Sequence, residues 1–227
     1  MPAQPGSFVT NILERGREVR DSASSMRESI IDVAQGIFSK FGYKKTTMDE
    51  IAQEVHKEKS SIYHYFKGKE EIFLEVVNKE IRIIQEELRR NINQQESPQS
   101  RLRAFIVTRI QCLKRLPNLY SLLRDDNLMH VASFREVRDT YRESELQLVT
   151  QILSFGIVRG VFRGKTNLDI VIKGVMTAFS GIESLWSPEK EDSEFEQDVD
   201  NVMELVFHGI VERQEAALVL TQVSARA

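Results

Sequence analysis

Thr46-Thr47-Met48-Asp49-Glu50-Ile51-Ala52, followed by Ser60-Ser61-Ile62-Tyr63-His64-Tyr65-Phe66 and then by Lys69-Glu70-Glu71-Ile72-Phe73, reads as a helix, a tight turn, a second short helix and the start of a third. Thr46 or Thr47 is placed to cap the first helix, and Glu50 stands three residues after Thr47, where a capping box wants it. Ile51 and Val55 fall four apart on an inward face. Ile62 and Phe66, also four apart, pack against that face from the second helix. This leaves Lys59, Ser60, Tyr63 and His64 pointing outward or along the flanks. Hydroxyls, a phenol, an imidazole and ammonium groups on one short helix suit base edges and phosphate oxygens in a DNA major groove.

The charge balance narrows this reading. With 31 Lys and Arg against 34 Asp and Glu the formal net charge is -3, which argues against a general nucleic-acid coat protein with its large positive excess. The positive charge is local: Lys40, Lys44, Lys45, Lys57, Lys59, Lys67 and Lys69 crowd the end built by the quoted segment. An acidic body with one basic end limits promiscuous binding and orients the molecule on DNA. The 227 residues, 41% hydrophobic and 29% charged, suit a soluble chain with one small and one larger domain. Cys112 is the single cysteine, so no intramolecular disulfide is expected. No apolar run approaches a membrane span, and the N-terminus, with Pro2, Pro5 and Gly6, lacks the apolar core of a signal peptide. The expectation is a cytoplasmic protein without membrane association.

Along the chain the pattern is helical almost throughout. Residues 1–24 read as an N-terminal tail, or as an arm whose Arg15, Arg17 and Arg20 touch the minor groove. From Met26 to Phe41, Ile30, Ile31, Val33, Ala34, Ile37, Phe38 and Phe41 keep helical spacing, and Gly42 ends the helix. The run from Lys69 to about Asn93 contains no Gly or Pro and makes a helix about 37 Å long, with one end standing on DNA and the other reaching into the second domain. Pro98 opens the next helix and Pro117 breaks it. Helices near 119–128, 133–161, 167–186 and 193–215 follow. The fold class is all-α: a three-helix helix-turn-helix domain at 25–73, then a larger helical domain at 74–227.

The last two helices carry apolar stripes. Gly174 and Gly181 lie one heptad apart among Ile170, Val171, Met176, Phe179 and Ile182, and the final helix presents Phe195, Val199, Val202, Met203, Val206, Phe207, Ile210 and Val211. Such stripes serve either the core of one chain or close approach of a second copy.

The segment from about Met26 to Phe73 resembles the DNA-binding region of the TetR family of bacterial transcriptional regulators. The likeness rests on Gly42-Tyr43, Thr46-Thr47, Ile51-Ala52, Tyr63-His64-Tyr65-Phe66 and Lys69-Glu70 in that order and spacing. The chain departs from the pattern at His56, where the family has glycine, at Lys57, where it has a small apolar residue, and at Glu58, where it has serine. The resemblance implies a homodimer on double-stranded DNA, reading a palindromic operator and released by a small-molecule effector. Alternatives are a regulator without an effector, or a dimeric scaffold that no longer binds DNA. It implies that Tyr63, Tyr65 and Lys69 hold phosphates, that Lys59, Ser60, Ser61 and His64 face base edges, and that Lys57 and Thr46 or Thr47 add contacts. It places the dimer interface on Ile170, Gly174, Phe179, Gly181, Ile182, Val199, Val202, Val206 and Ile210. It also places the effector pocket among the central helices, with Phe105, Arg109, Cys112, Leu122, Met129, Phe134, Val137, Tyr141 and Met176 as candidate lining.

Arg109 interrupts an apolar face, so it either pairs with a neighbouring carboxylate or receives an anionic group of an effector. Cys112, with Lys114 and Arg115 nearby, is a candidate for packing or for redox sensing. Enzymatic motifs are lacking: no His-Glu-x-x-His, Cys-x-x-Cys, P-loop or Gly-x-Ser-x-Gly occurs, and His56, His64, His130 and His208 lie far apart. No catalytic residue, metal site or cofactor is expected.

Overall fold

The computed structural model of the protein describes residues 6–163, 167–185 and 191–210. The elements in them are helical: α1 (Gly6–Lys45), α2 (Met48–Glu54), α3 (Lys59–Tyr63), α4 (Lys69–Asn93), α5 (Pro98–Arg115), α6 (Pro117–Arg124), a 3-10 turn (Asp126–His130), α7 (Ala132–Val158), α8 (Leu168–Leu185) and α9 (Asp192–Ile210). The chain is all-α, with a helix-turn-helix segment before a larger helical part. Two compact units divide it: residues through Ile81 with Pro117–Val137, and Arg82–Leu116 with the residues from Arg138 on. The segment 25–73 lies inside the first unit, which also takes in 74–81 and 117–137. No helix among the described residues is long and apolar enough to cross a membrane.

The first unit is built on the spacing the sequence shows. Ile30, Ala34 and Phe38 of α1, Ile51 of α2, Ile62 of α3, and Phe66, Ile72, Phe73 and Val76 are buried together. Each large apolar side chain so buried is worth about 1.5–3 kcal/mol, which is how helices as short as α2 and α3 hold their shape. Gly42 breaks α1 at φ 78°, ψ 160°, and a Cβ there would meet nothing within 4 Å. Glycine is required at this position for its backbone angle, and space is not the constraint. Tyr43 then turns into an aromatic cluster, 5.0 Å from Phe73 and 5.0 Å from Phe134, the latter edge-on at 84°.

One buried carboxylate ties three helices of this unit together. Glu80 of α4 has no solvent exposure; its Oε1 accepts from Gln35 Nε2 of α1 at 2.9 Å and from Asn118 Nδ2 at 2.8 Å. Its Oε2 accepts from the backbone N–H of Leu119 at 2.7 Å. Leu119 lies in the first turn of α6, where backbone donors have no partner inside the helix, so the carboxylate caps α6 and favours its positive end.

In the second unit α5 packs on α8 and α9. Phe105 and Phe179 rings lie 6.0 Å apart, and Arg103 bridges to Glu196 at 3.1 Å and to Asp200. Glu145 of α7 is buried and accepts from Tyr141 Oη at 2.7 Å and from Arg109 Nε. At the end of α7 the N–H groups of Val161 and Phe162 both donate to the carbonyl of Gly156, folding the Phe162 ring back onto the helix. A Cβ on Gly156 would stand 2.1 Å from that ring. Here glycine is required for room.

Candidate nucleic-acid interface

Thr47 is the cap of α2. Its hydroxyl accepts from Glu50 N at 3.3 Å while Glu50 Oε2 accepts from Thr47 N at 2.7 Å, closing the capping box. Thr46 is fully buried, its hydroxyl donating to the Gly42 carbonyl at 2.9 Å, so its side chain braces the turn after α1 and does not reach DNA. This corrects its place among the expected DNA contacts.

The turn into α3 is a Schellman motif. With Val55 as C-cap, the N–H of His56 donates to Gln53 O at 3.1 Å and that of Lys57 to Ala52 O at 3.0 Å. The motif puts His56 at φ 56°, the left-handed region, and among the described residues it is the only non-glycine there. Histidine occupies this region at a cost that glycine does not bear. His56→Gly is expected to raise the stability of the first unit by up to about 1 kcal/mol, read as a shifted urea midpoint at unchanged slope. A lowered midpoint would mean that the imidazole makes a contact worth more than the backbone strain.

Glu58 is the N-cap of α3 and its carboxylate makes no cap hydrogen bond. Lys57, Glu58, Lys59, Ser60, Tyr63 and His64 are exposed, while Ser61 and Tyr65 are half-buried. Beneath them Ile62 and Phe66 are sealed in. Arg27 covers the Phe66 ring from α1 with its guanidinium 4.9 Å from the centroid and pairs with Glu75 of α4 at 2.7 Å, fixing the back of the reading helix. Lys59 pairs with Asp49 of α2 at 2.8 Å, and that hydrogen bond raises its pKa above the ordinary lysine value. Both partners are exposed, so a DNA phosphate competes for the ammonium at little cost.

The Lys69 ammonium is turned toward the chain's own backbone. It donates to the carbonyls of Tyr43 at 3.0 Å, Lys44 at 3.2 Å and Thr46 at 2.9 Å, and sits 4.6 Å from the Tyr43 ring centroid. Three N–H donors thus meet three carbonyls of the segment joining α1 to α2. Burial, then the nearby Glu70 carboxylate, push the Tyr43 phenol pKa up. Lys69→Ala is expected to cost about 1–2 kcal/mol of stability and to leave the salt slope of DNA binding unchanged. Unchanged stability with a slope smaller by about one unit would restore the phosphate role.

The residues expected around an effector pocket separate. Leu122 and Phe134 are buried in the first unit, where Met129 and Val137 are half-buried. Phe105, Cys112 and Tyr141 are buried in the second unit, where Met176 is half-buried and Arg109 is paired with Glu145. Cys112 Sγ lies 3.3 Å from Glu87 Oε2, and burial, then Glu87, push the thiol pKa up to about 12, so it is not a thiolate at neutral pH.

A cavity of about 340 Å³ opens in the second unit among α4, α5 and α7, and none of those nine residues lines it. Ile92 and Ile152 form a buried floor; Gln85, Arg101, Ser144 and Leu148 are half-buried walls; Arg89, Asn93, Gln147 and Gln151 make an exposed rim. No apolar stripe marks this cavity in the sequence, because its polar residues lie on the outer flanks of amphipathic helices.

Of the expected interface residues, Phe179 and Val199 are buried within their own chain. Ile170, Gly174 and Gly181 are exposed on one face of α8, joined by Thr177, and Val202 is half-buried. The side chains of Ile182, Val206 and Ile210, like those of Arg15, Arg17 and Arg20, lie outside the described residues.

Residues 30–76 match the family model described as bacterial regulatory proteins, tetR family. Over 179 residues the chain is 25% identical to a protein of Escherichia coli K12 named "Probable acrEF/envCD operon repressor", covering 75% of this chain and 80% of that one. Among solved structures it is similar to a transcriptional regulator from Cytophaga hutchinsonii, 26% identical with a TM-score of 0.63 over 82% of this chain and 98% of the other. It is also similar in fold to the transcriptional regulator FadR from Bacillus subtilis in complex with stearoyl-CoA, 21% identical with a TM-score of 0.65 over 81% of this chain and 98% of the other.

Proposed function

We propose that this chain, a transcriptional regulator carrying the DNA-binding region of the tetR family, represses transcription as a homodimer on a palindromic operator and is released by a small-molecule effector. One observation carries the reading: on α3, Ser60, Tyr63 and His64 stand exposed while Ile62 and Phe66 hold the helix from behind. Lys59, Ser60, Ser61 and His64 meet base edges, and Lys57, Tyr63, Tyr65 and the capping residue Thr47 hold the backbone. A helix of five residues reads only a few base pairs, so useful specificity takes two copies on half-sites about one turn, ~34 Å, apart or a multiple of it.

Selection of bound duplexes from a random-sequence pool by the purified full-length protein tests this. A two-fold symmetric consensus is expected; a pool that never enriches would sink it. That outcome would favour the dimeric scaffold, for which the negative Glu58 at the start of α3 and the Asp49 partner of Lys59 speak.

For the effector, the support is the cavity that four residues of α4 help to line, on the same unbroken helix whose first residue, Lys69, grips the turn before α2. A ligand that moves the cavity end of α4 moves Lys69 with it. Coupling of this kind is worth about 1–3 kcal/mol, a 5- to 150-fold loss of operator affinity, and by reciprocity operator DNA weakens the effector equally. Calorimetry of an effector with and without saturating operator duplex checks it, and equal affinities would leave the regulator without an effector as the better description.

A further inference from the structure

We propose that the cavity among α4, α5 and α7 is an anion site for a small organic phosphate, a phosphate or diphosphate ester whose apolar part lies on Ile92 and Ile152. For its regulatory meaning the proposal rests on the effector reading above; as a binding site it stands on charge and geometry. Arg89 and Arg101 are the only ionisable residues in the cavity wall. Glu86 and Glu143 are exposed neighbours in sequence of Gln85 and Ser144, but neither lines the cavity. Four other arginines among the described residues are neutralised by carboxylates: Arg27 by Glu75, Arg103 by Glu196 and Asp200, Arg109 by Glu145, Arg115 by Glu87. Arg89 and Arg101 have no such ion pair among the described residues.

Arg101 is also held in place. Its Nε donates to the Gln95 carbonyl at 2.9 Å and its guanidinium lies 4.4 Å from the centroid of the Phe155 ring. That fixes the plane of the fork while its terminal amino groups keep their donors for a guest. Two guanidinium charges are complemented by one dianion, and a phosphate monoester carries about -1.5 to -2 at pH 7 with three strong acceptor oxygens. Ser144 and the amides of Gln85, Asn93, Gln147 and Gln151 supply further donors around the charge. The volume, about 340 Å³, fits a metabolite-sized molecule and excludes a polymer.

Calorimetry of the full-length protein with inorganic pyrophosphate as headgroup probe and succinate as a dicarboxylate control tests the assignment. Pyrophosphate is expected to bind once per chain and more tightly than succinate. Arg89→Gln, on the exposed rim and therefore harmless to folding, is expected to weaken it about 10- to 100-fold at unchanged circular dichroism. Absence of pyrophosphate binding at millimolar concentration, indifference to Arg89→Gln, or equal affinity for succinate would each overturn the phosphate site. Operator release run in parallel separates the two readings. Pyrophosphate binding that needs Arg89 but leaves operator affinity untouched supports the anion site and removes its regulatory role. An effector that releases operator equally from wild type and Arg89→Gln keeps the regulatory reading and removes this cavity from it.

Discussion

Glu80→Ala is expected to lower the stability of the protein by about 3–5 kcal/mol, a large part of what a domain of this size possesses. The carboxylate has no solvent exposure, and its loss strands Asn118, 1% exposed, the Leu119 N–H at the start of α6, and Gln35 of α1. Each buried donor left unsatisfied costs about 1–3 kcal/mol, and the truncated side chain adds the cost of the space it leaves. Glu80→Gln is the informative companion. It keeps the shape but turns one acceptor into a donor facing donors, so about half the loss is expected. Urea denaturation followed by circular dichroism measures both. A loss below about 1 kcal/mol for alanine would show that water reaches the site and satisfies the three donors.

Gly174→Leu is expected to turn the proposed dimer into a monomer and to lower operator affinity about 100-fold or more, because two half-site contacts made by one particle exceed either alone by that order. The position suits the test. Gly174 is exposed on α8, and a Cβ there would meet nothing within 4 Å in the chain itself, so the larger side chain leaves the protomer unstrained and gains helix propensity. Gly181, one heptad on, has the same open surroundings, with Ile170 66% exposed at the head of the stripe. Sedimentation velocity gives the oligomeric state, and unchanged thermal unfolding of the monomer shows that the fold is intact. A Gly174→Leu protein that stays dimeric would move the interface away from this face of α8.

Local and repetitive features were legible in the sequence. The spacing of Ile30, Ala34 and Phe38, the glycine break at Gly42, the Thr47–Glu50 box and the facing pair Ile51 and Ile62 all come from short-range rules, and all are found. The resemblance also singled out His56, which stands where the family has glycine, and its φ of 56° is one that glycine adopts freely. What escaped is polar and distant in sequence. Glu80 meets Gln35 across 45 positions and Asn118 across 38, and no periodicity announces such partners. Lys69 looked like a phosphate ligand because its carbonyl acceptors, 23 to 26 positions earlier, belong to the backbone and leave no trace in side-chain chemistry. The cavity escaped for a third reason: its floor is two isoleucines of ordinary helical stripes, while its character comes from arginines and amides that any solvated helix flank carries.

The unbroken length of α4 also has a consequence as simple leverage. Twenty-five residues without glycine or proline, Lys69–Asn93, at 1.5 Å each form a rod about 37 Å long, so a tilt of about 5° about one end carries the other about 3 Å. That travel is close to the ~3.4 Å that one strand of a DNA duplex advances along the axis per phosphate. A stiff rod therefore magnifies a small rotation at one end into a displacement of about 3 Å at the other, where a jointed one would absorb it in its hinge.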